Sequence, residues 1–297
     1  LAHLRRVEAR YAELFENAPP LGAPEEALGN LVFTGSEADP DTIRTIKSLG
    51  FANPEIIDTA VRGWHHGHCR ATRSTRAREL LTELMPVLLK ALANTPFPDA
   101  AFLKFDEFLA NLPAGVQLFS MFYSNPHLLD LLAEIIGLAP RLAEHLSRRP
   151  SILESVLSAD FFDPPPSPDA LDVELDRHLV QAGNLEDVLN ISRRWANDRR
   201  FQVGVRTLLG HISPAAASRG LGNIAETALN RLLPRVEEEF ARKHGRISGS
   251  AMVIIGMGKL GGREMTSASD LDLIFVYTTP DGRIASNGPR PLPPSQY

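Results

Sequence analysis

One stretch constrains this chain more than any other: residues 251–277, AMVIIGMGKLGGREMTSASDLDLIFVY. It reads as strand, glycine loop, strand. Met252 to Ile255 form a short apolar, partly β-branched run, and a second run from Leu271 to Tyr277 carries Ile274, Phe275, Val276 and Tyr277. Both have the residue types that suit a pleated, buried surface. Between them Gly256, Gly258, Gly261 and Gly262 give backbone that can approach a ligand without Cβ obstruction. Free N–H groups in such turns form concavities suited to phosphate oxygens.

The acids say more than the glycines. Asp270 and Asp272 stand at i and i+2 where the second strand is expected to open. Both side chains should then leave on one face while Leu271 and Leu273 go to the other. At a strand rise of about 3.3 Å per residue their Cβ atoms lie roughly 7 Å apart. Such a pair suits one divalent cation, or two about 3.5–4 Å apart that clamp the attacking and leaving oxygens of a nucleotidyl displacement. Hard carboxylate oxygens with no His or Cys nearby in sequence favour Mg²⁺. The bland reading is a turn of the βαβ type with incidental acids.

Gly258-Lys259-Leu260-Gly261-Gly262-Arg263-Glu264-Met265, followed by Ser269-Asp270-Leu271-Asp272-Leu273-Ile274-Phe275, closely resembles the signature of the bifunctional glutamine synthetase adenylyltransferase/adenylyl-removing enzymes. These belong to the polymerase-beta-like nucleotidyltransferase superfamily. The likeness covers the whole loop-plus-strand unit, which makes it more specific than a lone glycine motif. It extends upstream to WHHGHCRATRSTRARELL (64–81) and LPAGVQLFS (112–120), which look like the region between the family's two nucleotidyltransferase halves. The expected fold is therefore mainly α with a small α/β part, a helical bundle followed by the truncated start of a polymerase-beta-like nucleotidyltransferase domain.

Composition narrows the alternatives. A formal net charge of -5 over 297 residues argues against a nucleic-acid substrate, because phosphate-backbone binders carry basic surfaces. Cys69 is the single cysteine, so no internal disulfide forms and a reducing cytoplasm is the simplest home. No apolar run approaches the roughly 18 residues of a membrane span. The chain opens on Leu1 inside a helical pattern and stops at Tyr297 just past a candidate N-cap, Ser295, so it is expected to be a fragment.

Along the chain, residues 1–50 read as a helix end, with Leu4, Val7, Tyr11, Leu14 and Phe15 on one face, and then a Pro- and acid-rich linker over about 17–42 with a small apolar clip at Leu31-Val32-Phe33. Residues 51–162 read as a bundle of short helices. Asn53-Pro54, Asn125-Pro126, Ser167-Pro168 and Ser213-Pro214 each set a capping side chain before a proline at the first helical position. Leu128, Leu132 and Ile135 form a stripe ending near Gly137, and Pro140 and Pro150 restart short helices. Phe102, Phe105, Phe108, Phe119 and Phe122 read as core.

The cluster His65, His66, His68 and Cys69 offers metal-ligand types, yet neighbours on one helix or turn point apart, so a zinc site is disfavoured. Arg70, Arg73, Arg76 and Arg78 are expected to pair with acids such as Glu79 and Glu83, with an anionic effector as the alternative. Residues 163–168, DPPPSP, form a stiff boundary. Residues 169–297 are the nucleotidyltransferase part, with amphipathic helices over 171–180, 185–209 and 214–244 packing beside or behind the sheet. Arg193, Arg194, Arg199 and Arg200 around Trp195 read as a charged exposed face, or else a triphosphate or acidic-protein contact.

The resemblance implies a chemistry. Asp270 and Asp272 would hold Mg²⁺ bridging ATP phosphates; Gly258, Gly261, Gly262 and Ser269 would line the phosphate cradle; Lys259 would neutralise phosphate charge. The acceptor would be a tyrosine of glutamine synthetase, and a PII-like signal protein would be a partner. Position suggests the adenylylating C-terminal half, with the phosphorolytic adenylyl-removing half as alternative. The superfamily's third carboxylate, on a later strand, has no counterpart here, since Asp281 sits in a Pro-Asp-Gly turn signature. Weak nucleotide binding without turnover is therefore expected of this stretch alone. Two rival readings stand beside it: a regulatory module whose central helices bind a PII-like protein or glutamine, and a different nucleotidyltransferase that modifies antibiotics or transfers uridylyl groups.

Overall fold

Asp39-Pro40, Ser167-Pro168 and Ser213-Pro214 each open a helix, the side-chain oxygen accepting from a first-turn N–H and the proline standing at the first helical position. The computed structural model describes residues 31–33, 38–158, 160–280 and 285–297. They are mainly helical, with one two-stranded antiparallel sheet. The chain divides into two compact units, the first ending at Phe162 and the second beginning at Asp163.

The first unit holds α1 (Pro40–Ser48), α2 (Pro54–His65), α3 (Thr75–Ala93), α4 (Pro98–Asn111), α5 (Val116–Ser124), α6 (His127–Leu138), α7 (Pro140–Arg148) and the single turn α8 (Leu153–Val156). Short 3₁₀ turns cover Arg70–Thr72 and Pro150–Ile152. Helix α3 is central and packs against α2, α4, α5 and α6. The five phenylalanines are core, each 4% exposed or less. Trp64 stacks on Phe102 at 5.3 Å between ring centroids, and its Nε1 donates to Asp106 Oδ1 at 2.6 Å, so α2 is anchored on α4 through one residue.

Three expectations need correcting here. Helix α1 lies where a linker was expected to reach Thr42; Asp39 accepts from Thr42 N at 3.0 Å, Pro40 begins the helix, and Ile46 is fully buried. Phe33 of the apolar clip is buried against His65, while the helical pattern read in residues 1–16 lies outside the described residues. Asn53 does not cap α2 with its side chain: Asp99 captures this corner instead, accepting from Ala52 N at 2.9 Å, Asn53 N at 2.8 Å and Asn53 Nδ2 at 3.0 Å. Asn125 closes α5 rather than opening α6, with its N and Nδ2 both donating to Met121 O. Ser167 and Ser213 do cap as expected, accepting from Ala170 N and Ala216 N.

Partial burial raises the pKa of Asp99, but the bonds from Ala52 and Asn53 outweigh it and hold the carboxyl below the usual carboxylate range. A depressed folded-state pKa gives stability that is present above the unfolded value near 3.9 and is lost as pH falls through the folded value. Asp99→Ala is therefore expected to cost about 1 kcal/mol at neutral pH, the size of a lost helix cap. Denaturant midpoints measured at pH 7 and below pH 3 check this; the gap between wild type and variant should close in acid.

The histidine–cysteine cluster is engaged locally. His66 Nδ1 lies 2.7 Å from Arg62 O and Cys69 Sγ 3.1 Å from Thr72 Oγ1. Among the described residues no group of three or more His, Cys, Asp or Glu is arranged to hold a metal. Arg76 pairs with Glu79 at 3.2 Å, whereas Arg78 turns back to the carbonyls of Thr72 and Arg73 and closes the turn before α3.

The second unit holds α9 (Pro168–Leu179), α10 (Leu185–Leu208), α11 (Pro214–His244), strand β1 (Ala251–Gly256), the single turn α12 (Gly258–Gly261) and strand β2 (Leu273–Thr278). The three long helices pack on one another around Leu171, Leu175, Trp195 and Leu221. Glu174 ties α9 to α10 by accepting from Trp195 Nε1 at 3.0 Å and from the Arg199 fork. The strands pair antiparallel from Ala251↔Thr278 to Gly256↔Leu273. They were expected to be buried; instead Val253 is 54%, Phe275 58% and Tyr277 61% exposed. The helix core takes Leu260, Met265 and part of Leu273 from the loop end of the ribbon and leaves the strand faces open. Among the described residues no helix is long and apolar enough to cross a membrane.

Candidate functional site

The segment between the strands is a built turn, fastened at both ends. Its glycine part is one turn of helix, with Gly261 N donating to Met257 O at 3.0 Å and Gly262 N to Gly258 O at 2.9 Å. Leu260 in that turn and Met265 beyond it are 4% and 5% exposed, both inside the helix core. An apolar side chain at each position is thus what seats the loop on α9, α10 and α11.

Strand β2 begins at Leu273, so Asp270 and Asp272 lie in the irregular segment just before it. This corrects the strand boundary expected at Leu271. Asp270 and Asp272 are exposed, and so is Leu271 at 42%, because no sheet layer covers an opposite face there. Met257 N donates to Asp272 O at 2.8 Å, which joins the mouth of the glycine turn to the acids. Gly258 has φ +51, and a Cβ on it would collide with Asp272 Oδ2. The bare Cα of Gly258 and the Asp272 carboxylate are therefore in direct contact.

The remaining expected residues sort by what they touch. Gly261 faces the carbonyl of Gly256, where a Cβ would strike backbone. Gly262 has φ −77 and nothing nearer than 3.4 Å to an added Cβ, so no conformational demand falls on it. Ser269 is half-buried, and its hydroxyl accepts from Thr266 N at 3.0 Å, which makes it a loop-forming residue in this conformation. Lys259 is exposed at the turn. Asp281 lies outside the described residues.

Two arginines hold this loop: Arg263, which the sequence presents only as part of the motif, and Arg200, which it presents as part of a charged exposed face or a triphosphate contact. Arg263 has φ +55, and its Nη2 donates to both Glu226 oxygens at 2.8 and 2.9 Å while Nη1 reaches Asn223 Oδ1 at 3.2 Å. Arg200 of α10 donates through Nη2 to Ser267 O at 2.8 Å. Of the four arginines around Trp195, Arg199 and Arg200 are thus spent on Glu174 and Ser267, and Arg193 and Arg194 bond to Asn190 on their own helix.

Among the described residues neither the Asp270 nor the Asp272 carboxylate makes a hydrogen bond or an ion pair. Two uncommitted, exposed carboxylates, one resting on a Cβ-free turn, suit a hard divalent cation that keeps waters and phosphate oxygens as its other ligands.

Fold and site together define a helical protein whose second unit presents an acidic, glycine-buttressed β-ribbon. A family model for glutamate-ammonia ligase adenylyltransferase matches residues 129–295, more than half of the chain, and the chain belongs to that family. It is similar to bifunctional glutamine synthetase adenylyltransferase/adenylyl-removing enzymes of Mesorhizobium japonicum (46% identical over 296 residues, all of this chain and 30% of the relative) and of Brucella melitensis (44% over 297 residues, again 30% of the relative). The counterpart from Caulobacter vibrioides is 38% identical over 287 residues, covering 95% of this chain and 28% of that protein. The chain thus spans about 30% of the length of the curated relatives it matches.

Proposed function

We propose that this chain supplies the metal- and nucleotide-phosphate-binding part of an adenylyltransferase that moves AMP from ATP to a tyrosine of glutamine synthetase, on the adenylylating side of a bifunctional regulator. The observation that carries the reading is the contact between the Asp272 carboxylate and the bare Gly258 turn, with Asp270 two residues away and both acids uncommitted. Family membership and the printed names of the relatives support the reaction and the acceptor. Asp270 and Asp272 would hold Mg²⁺, which when bound neutralises phosphate charge and assists displacement at phosphorus. Gly258 keeps the mouth of the turn free of a side chain, so phosphate oxygens can approach its backbone, while Gly261 lets the turn pack on the Gly256 carbonyl. Lys259, exposed on the same turn, adds positive charge toward them.

The same reading gives the protein a PII-like signal protein as a further partner. A single cysteine fits a cytoplasmic, reducing setting. Titration calorimetry with ATP in the presence and absence of Mg²⁺ tests the site. Wild type is expected to show saturable, Mg-dependent binding that Asp270→Asn removes; an Asp270→Asn chain that binds Mg·ATP as wild type does would end the proposal. Labelled ATP set against UTP, with glutamine synthetase as acceptor, separates this activity from a uridylyl-transferring relative.

A further inference from the structure

The loop carries its backbone strain on an arginine while glycines stand beside it. Gly261 and Gly262 precede Arg263, yet it is Arg263 that takes the left-handed conformation, at φ +55. A residue with a Cβ adopts that region uncommonly, and it persists where the surroundings over-determine it. Here the surroundings do so from both sides. Arg263 N donates to Leu260 O at 3.1 Å and Glu264 N to Lys259 O at 2.8 Å, closing the glycine turn, while Met265 plugs into the helix core two residues on. The guanidinium meanwhile grips Asn223 and both oxygens of Glu226, which stand at i and i+3 on α11. With Nη2 on the carboxylate and Nη1 on the amide oxygen, the planar guanidinium is held in direction as well as distance. The chain leaves this residue toward Ser267, pinned by Arg200, and then toward Asp270 and Asp272.

We propose that Arg263 is a positioning residue: its fork on Glu226 and Asn223 holds the strained turn in place on α11 and thereby sets where the carboxylates of Asp270 and Asp272 stand for a Mg²⁺-bound triphosphate. This rests on the reading of those acids as the Mg·ATP site. An ornamental surface ion pair would leave the loop unchanged when cut.

The test joins two readouts on the same chain. Amide hydrogen exchange at Gly261, Gly262, Arg263 and Glu264, bonded within the turn, and at Met257, bonded to Asp272 O, reports the clamp without any nucleotide. ATP affinity with and without Mg²⁺ reports its consequence. Glu226→Ala removes the carboxylate, leaving only the bond to Asn223, and keeps the strained arginine; Arg263→Lys keeps the charge and loses the fork. Both are expected to speed exchange in the turn and to weaken Mg-dependent ATP binding by about fivefold, the size of one well-formed ion pair, with Mg-independent binding unmoved. A charge-swapped pair, Arg263→Glu with Glu226→Arg, should recover part of both. Wild-type exchange in Glu226→Ala overturns the proposal, and so does faster exchange with wild-type Mg·ATP affinity. Faster exchange in a protein whose wild type shows no Mg-dependent ATP binding leaves the clamp standing and removes the reading of the acids.

Discussion

A Gly258→Ala chain is expected to keep its helical far-ultraviolet spectrum and to lose Mg-dependent ATP binding. Gly258 sits at φ +51, where a Cβ costs about 1–2 kcal/mol. That alone would be a tolerable loss. The decisive effect is steric, because the added methyl would meet Asp272 Oδ2 first, with the Asp272 Cγ and Cβ behind it at 3.4 and 3.7 Å. The cheapest relief is for the carboxylate to swing away, since Met257 N holds the Asp272 backbone by its carbonyl. The site would be lost before the fold. Neighbouring glycines supply the controls. Gly261→Ala presses on the Gly256 carbonyl, which is strand backbone and cannot swing, so it should destabilise the ribbon itself. Gly262→Ala has ordinary φ and room, so it should be silent in both stability and binding. Calorimetric titration of the three variants beside wild type decides. Mg·ATP binding that survives in Gly258→Ala, or disappears equally in Gly262→Ala, would detach the glycine turn from the acids.

That three-way difference shows where the sequence was legible. A cluster of glycines before Ser-Asp-Leu-Asp marks a place where backbone and carboxylates come close, but spacing alone does not say which glycine touches which acid. The answer depends on the bond from Met257 N to Asp272 O, which sets Gly258 beside Asp272, and on the helical turn that follows, which leaves Gly262 idle. Ser167-Pro168 and Ser213-Pro214 announced their helices because a serine cap is local chemistry. Asn53 and Asn125 looked the same and behaved otherwise, since Asp99, 46 residues away, outcompeted one and the end of α5 claimed the other. Helix α1 was hidden by the acid- and proline-rich composition around it, although Asp39-Pro40 carried the same signal as the serines. The partnership of Arg263 with Glu226 spans 37 residues and had no local trace. The ribbon's apolar faces looked like buried strands because residue type reports suitability for a sheet interior and not whether a layer covers it.

In the first unit the largest loss is expected from Phe102→Ala. Phe102 is fully buried and touches α2 from α4: Trp64 lies flat on it at 5.3 Å and Phe51 meets its edge at 6.3 Å. Truncation removes a ring from close packing on two sides, which costs about 3–5 kcal/mol when neighbours relax only partly. Relaxation is limited here because Trp64 is also fixed by Asp106 Oδ1 and by Phe105, 5.8 Å away, so the indole cannot tilt into the space without giving up its hydrogen bond. Against a domain stability of about 5–15 kcal/mol, a loss of that size leaves this unit close to unfolding. The chain has two tryptophans, Trp64 in the first unit and Trp195 in the second, which makes the measurement direct. In a Trp195→Phe background, Trp64 emission followed through urea should show the Phe102→Ala midpoint well below that of the parent with an unchanged slope. Phe102→Leu, which refills most of the volume, should recover the greater part of the loss. A Phe102→Ala midpoint within a few tenths molar of the parent would mean that the aromatic stack does not carry the α2–α4 junction, and that the phenylalanine spacing along α4 was read as core for the wrong reason.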